Sequence, residues 1–238
     1  LLIKNEGIEK LKNANVLVVG LGGVGSFAAE FLARAGVGNL TIVDGDTVDI
    51  TNVNRQLPAL HSTVGKNKVE VVAERILDIN PEVQLVPINE FLSPERMDEM
   101  LENNKFDYVL DCIDSVSPKL ALIKACRRRK IKIVSSMGAG GKMDPSKVMV
   151  RDLSKTNNCY LAKQIRKRLK KEGITKGFRC VFSTEIQTED SLKLTDGSNF
   201  KKSFYGTISY MPALCGLNAA AEVINYLVKS QKKEAGIN

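Results

Sequence analysis

Up to Ser135 the chain alternates between two hydrophobic patterns. Short unbroken apolar runs are separated by longer segments whose apolar positions recur every three or four residues. Residues 15–20 (NVLVVG) form a β-branched apolar run of strand length, the pattern of a strand buried on both faces. Residues 24–35 (VGSFAAEFLARA) read as a helix ended by Gly36 and Gly38, and residues 40–43 as the next strand, closing on Asp44. Residues 66–78 place Val69, Val72, Ala73 and Ile76 on one helical face. The alternation continues with a strand at 83–88, a helix at 95–102, a strand at 107–110, a helix at 118–129 and a strand at 131–135. An amphipathic helix at 3–12 precedes them. Strands alternating with helices predict an α/β, Rossmann-like, doubly wound and mostly parallel sheet.

Beyond Gly138 the rhythm changes, which predicts a C-terminal extension of strands and helices. Short strands are expected at 148–150 and 180–182, a strongly basic helix at 161–171 and a final apolar helix at 212–228. Residues 184–203 are polar without an apolar period and predict a mobile loop. The stretch 211–228 is interrupted by Asn218, Glu222 and Asn225, so it reads as a buried helix rather than a membrane span. No secretory signal is visible, and the opening Leu-Leu-Ile without methionine suggests residues upstream of Leu1. With neither an internal repeat nor a long linker, residues 1–238 are expected to form a single domain, with about 146–210 a basic, partly mobile extension facing the substrate.

Composition narrows the function classes. The 238 residues are 43% hydrophobic and lack tryptophan, so the core must be aliphatic. The net charge of +8 fits a polyanionic partner such as nucleic acid or a phosphorylated substrate, and equally a merely soluble basic protein. Five scattered cysteines without a Cys-x-x-Cys pair argue against a disulfide framework or a four-cysteine zinc site, and fit a reducing cytoplasm. A single histidine, His61, excludes a histidine-rich metal site.

The chemistry starts at Gly20-Leu21-Gly22-Gly23-Val24-Gly25, a G-x-G-x-x-G loop that follows a strand and opens a helix. Such a loop lets phosphate approach backbone N–H groups at a helix N-terminus. Asp44, at the end of the second strand, is placed to accept from ribose hydroxyls. These features alone suit NAD, FAD, S-adenosylmethionine or ATP. The next segment separates them: Asp46, Asn52, Asn54, Arg55 and Gln56, followed by Lys68, supply amides and two cations that a triphosphate needs and a hydride-transfer site does not. Asp111-Cys112-Ile113-Asp114 closes another buried strand near the expected crevice. Asp114 is a candidate Mg²⁺ ligand against phosphate, with Ser115 beside it, whereas Asp111 fits a helix cap or a structural acceptor.

Together GLGGVG, DGDTVDITNVNRQ, GKNKVEVVAERI and DCIDS resemble the ubiquitin-activating-type adenylating superfamily. The resemblance implies that Gly22, Gly23, Gly25 and Asp44 bind the nucleotide, Asn52, Arg55 and Lys68 its phosphates, and Asp114 Mg²⁺. It also implies adenylation of a carboxylate by ATP, with Arg55, Lys68 and Asp114 as the catalytic set. The two Cys-x-x-Cys zinc pairs common in the sulfur-carrier branch are absent. Cys126–Lys130 (CRRRK), Gly138–Gly141 (GAGG) through Asp144-Pro145, Asp152–Thr156 (DLSKT), Arg166–Lys170 (RKRLK) and Cys180–Glu185 (CVFSTE) are similar instead to the tRNA threonylcarbamoyladenosine dehydratase branch.

That branch implies ATP-dependent cyclodehydration of N6-threonylcarbamoyladenosine in tRNA, in a homodimer, with a sulfur-relay protein as a further partner. Basic residues Arg127, Arg128, Arg129, Lys163, Arg166, Lys167, Arg168, Lys170 and Lys171 are then candidate tRNA contacts, their alternative being a solvated helix face. The superfamily often supplies an arginine in trans from the N-terminal helix. None precedes Arg34, leaving Lys4, Lys10 and Lys12 as substitutes. Three other readings stand beside it: an adenylyltransferase acting on the C-terminal glycine of a ubiquitin-like or sulfur-carrier protein, a non-catalytic nucleotide-binding scaffold, and an NAD-dependent oxidoreductase.

Overall fold

A computed structural model describes residues 1–187, 192–194 and 203–229. Seven strands form one sheet: β1 (Asn15–Val19), β2 (Asn39–Val43), β3 (Gln84–Ile88), β4 (Tyr108–Asp111), β5 (Lys132–Ser136), β6 (Val148–Asp152) and β7 (Arg179–Ser183). Their order is β3-β2-β1-β4-β5-β7-β6, all parallel except β6, which runs antiparallel to β7. The order reverses between β1 and β4, which opens a crevice at the carboxyl ends of those two strands.

Helices cover both faces because the central strands alternate two sets of side chains. Val16 and Val18 of β1 pack with α1 (Lys4–Lys12), α2 (Gly25–Arg34), α3 (Lys68–Ile79) and α7 (Tyr210–Lys229). Leu17 and Val19 face α4 (Pro94–Asn103), α5 (Val116–Arg128) and α6 (Tyr160–Lys170). A strand apolar at every position is what burial on both faces requires. Edge strand β3 breaks that rule, with Val86 half exposed and Pro87 in the ladder, as suits a strand paired on one side only. Helix α7 is long and apolar enough to cross a membrane by length and composition, but Met211, Cys215, Ala219, Ala220 and Val223 are buried in the core.

The expected elements are present with ends displaced by one or two residues. One expectation is corrected. Within 184–203, read as lacking any periodic element, Leu192–Leu194 and Ser203–Tyr205 form antiparallel strands β8 and β9. Leu192-Lys193-Leu194 does alternate, but over three residues, too short to stand out in a polar stretch. The intervening residues lie outside those described.

Candidate adenylation site

The glycine loop is fixed by backbone geometry. Gly20 sits at φ +91°, and its N–H donates to the Val43 carbonyl at 2.8 Å, tying the end of β1 to β2. At Gly25 a Cβ would lie 1.7 Å from the Gly20 carbonyl oxygen, so only glycine closes the turn into α2. That helix has no side-chain N-cap, and in its first turn Ser26 N donates to Gly22 O and Ala28 N to Val24 O. Gly22 and Gly23 form the rim of the loop. The amide of Gln56 reaches over Gly22, and its Oε1 is buried without a hydrogen-bond partner among the described residues. An orphaned acceptor at this position fits a ligand that brings a donor.

Asp44 ends β2. Its Oδ2 accepts from Leu21 N at 2.6 Å and its Oδ1 from Asp46 N at 2.8 Å, so the carboxylate is oriented before any ribose arrives. Burial pushes its pKa above the usual aspartate value, outweighing the lowering by those two N–H donors.

The loop after Asp44 is held by its own side chains. Asp49 caps a short 3-10 turn, Ile50–Asn52, accepting from Thr51 N, while Asn52 accepts from Asp49 N in return. This turn orients Arg55, whose Nη1 donates to Thr51 O at 2.9 Å and Asn54 Oδ1 at 2.8 Å. Lys68 opens α3 almost wholly buried, its Nζ 2.9 Å from Asp46 Oδ2. Asp46 is itself half exposed, so incoming phosphate can compete for the ammonium.

The carboxyl end of β4 carries Asp114. It is exposed on the turn into α5, and Ser115 Oγ donates to its Oδ1 at 3.3 Å. Beneath that turn lies a network the sequence reading did not find. Lys119 and Asp111 are fully buried, 2.7 Å apart, and the ammonium also donates to Ser135 Oγ and Ser136 O. Asp111 Oδ1 accepts from Ile113 N at 3.1 Å. Asp111 is therefore a structural acceptor, one of its two anticipated roles. No spacing in the sequence signals this burial, since a lone lysine in the first turn of a helix reads as a surface residue. No group of three or more metal-ligating side chains exists among the described residues, so Asp114 suits only an ion that phosphate also ligates.

A second missed residue is Phe91. It is exposed on the loop after β3 and packs against Gly45, next to Asp44, where a Cβ would meet the Phe91 ring at 2.7 Å.

The structure brings Gly22, Gly23, Gly25, Asp44, Asp46, Asn52, Asn54, Arg55, Gln56, Lys68, Asp114 and Ser115 to the carboxyl end of the sheet. It does not bring the basic residues there as a group. Arg127, Arg128 and Arg129 end α5 at the amino end of β5: Arg127 donates to Gly177 O, and Arg128 and Arg129 pair with Asp98. Arg166 turns inward to Thr156. Lys163 lies in the first turn of α6, whose start is tied to Thr184 and Met137 at the carboxyl end of the sheet, while Lys167, Arg168 and Lys170 are in its last turn and Lys171 caps it. Lys10 is paired with Glu6 and donates to Val228 O.

All five cysteines are free. Burial pushes Cys112, Cys126 and Cys215 up to about 12 and raises Cys159 and Cys180, so none is an activated nucleophile.

Residues 1–237 match the model of the ThiF family. The chain is 44% identical over 236 residues, 96% of its length and 92% of the relative's, to a tRNA threonylcarbamoyladenosine dehydratase of Bacillus subtilis (strain 168). It superposes with a TM-score of 0.85 on the crystal structure of the Escherichia coli tRNA N6-threonylcarbamoyladenosine dehydratase in complex with ATP, at 40% identity and covering 95% of this chain and 90% of that one. A molybdopterin-synthase adenylyltransferase of Salmonella typhimurium is 40% identical over 155 residues, 65% of this chain and 60% of the relative.

Proposed function

The chain belongs to the ThiF family, and we propose that it catalyses ATP-dependent cyclodehydration of N6-threonylcarbamoyladenosine in tRNA. One observation carries the choice of substrate. Similarity to the dehydratase extends over 96% of the chain, including the C-terminal third, whereas similarity to the sulfur-carrier adenylyltransferase stops at 65%.

The first step joins a threonyl carboxylate oxygen to the α-phosphorus of ATP and releases pyrophosphate. The carboxylate is already ionised at neutral pH, so no general base is needed. In the second step the carbamoyl group attacks the activated carbonyl, closes a five-membered ring, expels AMP and gives up its N–H proton. Since the second nucleophile belongs to the substrate, the protonated cysteines are no obstacle.

The chain's own part is positioning and charge neutralisation. The loop N–H groups at Gly22, Gly23 and Gly25 cradle phosphate, Asp44 holds the ribose, and Phe91 offers the adenine a face. Gln56 Oε1 gains the donor it lacks. Asn52 and Asn54 supply amides, Arg55 binds phosphate through its planar fork, and Lys68 exchanges Asp46 for phosphate as a point charge. Asp114, steadied by Ser115, holds Mg²⁺, which shields the phosphate charge when bound. Lys163, in the first turn of α6, is the first candidate among the basic residues for tRNA phosphate. A cytoplasmic homodimer, a lysine or upstream arginine acting in trans, and a sulfur-relay partner complete the reading and rest on the family resemblance.

The test is to incubate the protein with ATP, Mg²⁺ and tRNA carrying threonylcarbamoyladenosine, then digest the tRNA and weigh its nucleosides. Loss of one water from the modified nucleoside is expected. An unchanged mass, with pyrophosphate exchange stimulated instead by a small carrier protein ending in glycine, would transfer the chain to the adenylyltransferase reading.

A further inference from the structure

Next to the nucleotide residues lies a cavity of about 580 Å³, within the usual range for a small-molecule site. Its walls include Asn54, Lys142, Met143, Glu185, Thr207 and Ile208, drawn from the loop after β5, the end of β7 and the segment before α7. We propose that this cavity receives the threonylcarbamoyl-adenine group, flipped out of the tRNA, and presents its carboxylate to the ATP α-phosphate; this rests on the functional reading above.

Three observations support that occupant. First, the cavity and the phosphate cluster share a wall. Arg55 Nη1 donates to Asn54 Oδ1 at 2.8 Å, and Asn54 Nδ2 donates to Thr207 O at 3.0 Å. A carboxylate that attacks a nucleotide phosphorus must reach the phosphates from a neighbouring pocket, and this one is a single amide away.

Second, one side is polar and incompletely satisfied. Lys142 is only 2% exposed. Its ammonium has three donors, and among the described residues two acceptors are found, the carbonyls of Asn158 and Glu185. The remaining donor suits a carbamoyl oxygen.

Third, the mouth is apolar. Met143 is 62% exposed, Ile208 36% and Tyr210 41%, and the Tyr210 hydroxyl donates to Met143 O at 2.8 Å, which fixes the ring beside the opening. Unstacked bases are held on such surfaces, and enzymes that act on a base take it out of the stack.

An extended peptide tail fits less well. The backbone it would pair with is already used: Gly141 N donates to Gly206 O, and Gly140 O accepts from Gln187 Nε2.

The experiment measures binding of tRNA with and without threonylcarbamoyladenosine, in the presence of a non-hydrolysable ATP analogue, by the wild-type chain, Ile208→Trp and Lys142→Met. The wild type is expected to prefer modified tRNA. Each variant is expected to lose at least tenfold of that preference while keeping wild-type affinity for unmodified tRNA and for the analogue. Equal wild-type binding of the two tRNAs would overturn the proposal, as would an intact preference in Ile208→Trp or competition from a glycine-ended carrier protein. If the preference exists and is lost in the variants but the wild type, given ATP and Mg²⁺ instead of the analogue, removes no water from the modified nucleoside, the cavity assignment stands and the functional reading falls.

Discussion

Asp114 is exposed, while its neighbour Asp111 is locked to Lys119, so the two aspartates of one strand end separate into an outward ligand and an inward strut. Asp114→Ala is expected to lower tRNA-dependent pyrophosphate exchange by roughly 10²-fold or more, the scale of one lost electrostatic partner at a transferring group. Its thermal midpoint should stay at the wild-type value, and near-normal exchange would remove its assigned role. Asp44 carries a pH dependence. Its folded pKa is raised by burial, so it takes up a proton at a pH where an ordinary aspartate is still ionised. Nucleotide affinity should therefore fall as pH drops through that raised value, and Asp44→Asn should remove the dependence. Stability of the nucleotide-free fold moves the opposite way, rising as pH falls through the same window, because the native state then binds the extra proton. A fluorescent ATP analogue titrated across pH measures the first effect and urea melts the second. At this scale Asp44, Arg55, Lys68 and Asp114 were legible in the sequence, because each follows an apolar run or the glycine loop at a telling distance. Lys119 and Phe91 were not, because a lone lysine in a helix and a lone aromatic in a loop look like surface residues until burial and exposure are known.

Among the elements, the junction of β4, α5 and β5 depends on the buried Lys119–Asp111–Ser135 network. Breaking a buried pair from one side leaves the other charge without compensation, so Lys119→Met is expected to destabilise the fold by about 3–5 kcal/mol in urea unfolding. The double change Lys119→Met with Asp111→Leu should recover much of that loss; equal instability of the single and double variants would show that charge is not the cause. The strand–helix rhythm made β1 to β5 and α2 to α5 readable: both-face burial writes unbroken apolar runs in β1, β2 and β4, and β3 follows from its place in the alternation. The β8–β9 pair was missed because three-residue strands carry too short a period, and the direction of β6 was hidden because strand polarity is set by connection geometry rather than by composition.

For the whole molecule, a net charge of +8 is compatible with a polyanionic partner, and the fold distributes that charge unevenly. Arg128 and Arg129 are paired with Asp98 at the amino end of the sheet, whereas Lys163 sits in the first turn of α6, at the other end. Charge reversal at Lys163 is therefore expected to weaken tRNA binding and flatten its dependence on salt, by about one unit of log–log slope per lost phosphate contact. Arg128→Glu should leave that slope unchanged. Filter binding across a salt series distinguishes them, and a change in slope for Arg128→Glu alone would reverse the assignment. The sequence could show the excess of charge but not where it pairs, since ion pairs such as Arg128–Asp98 join residues thirty positions apart. In the proposed reaction a carboxylate oxygen of the modified base attacks ATP at its α-phosphorus. The most direct test of that step uses tRNA whose threonylcarbamoyl carboxylate carries heavy oxygen, followed by mass analysis of the products. One heavy oxygen in the released AMP and none in pyrophosphate is the expected result. Unlabelled AMP, or heavy oxygen in inorganic phosphate with ADP formed, would contradict it.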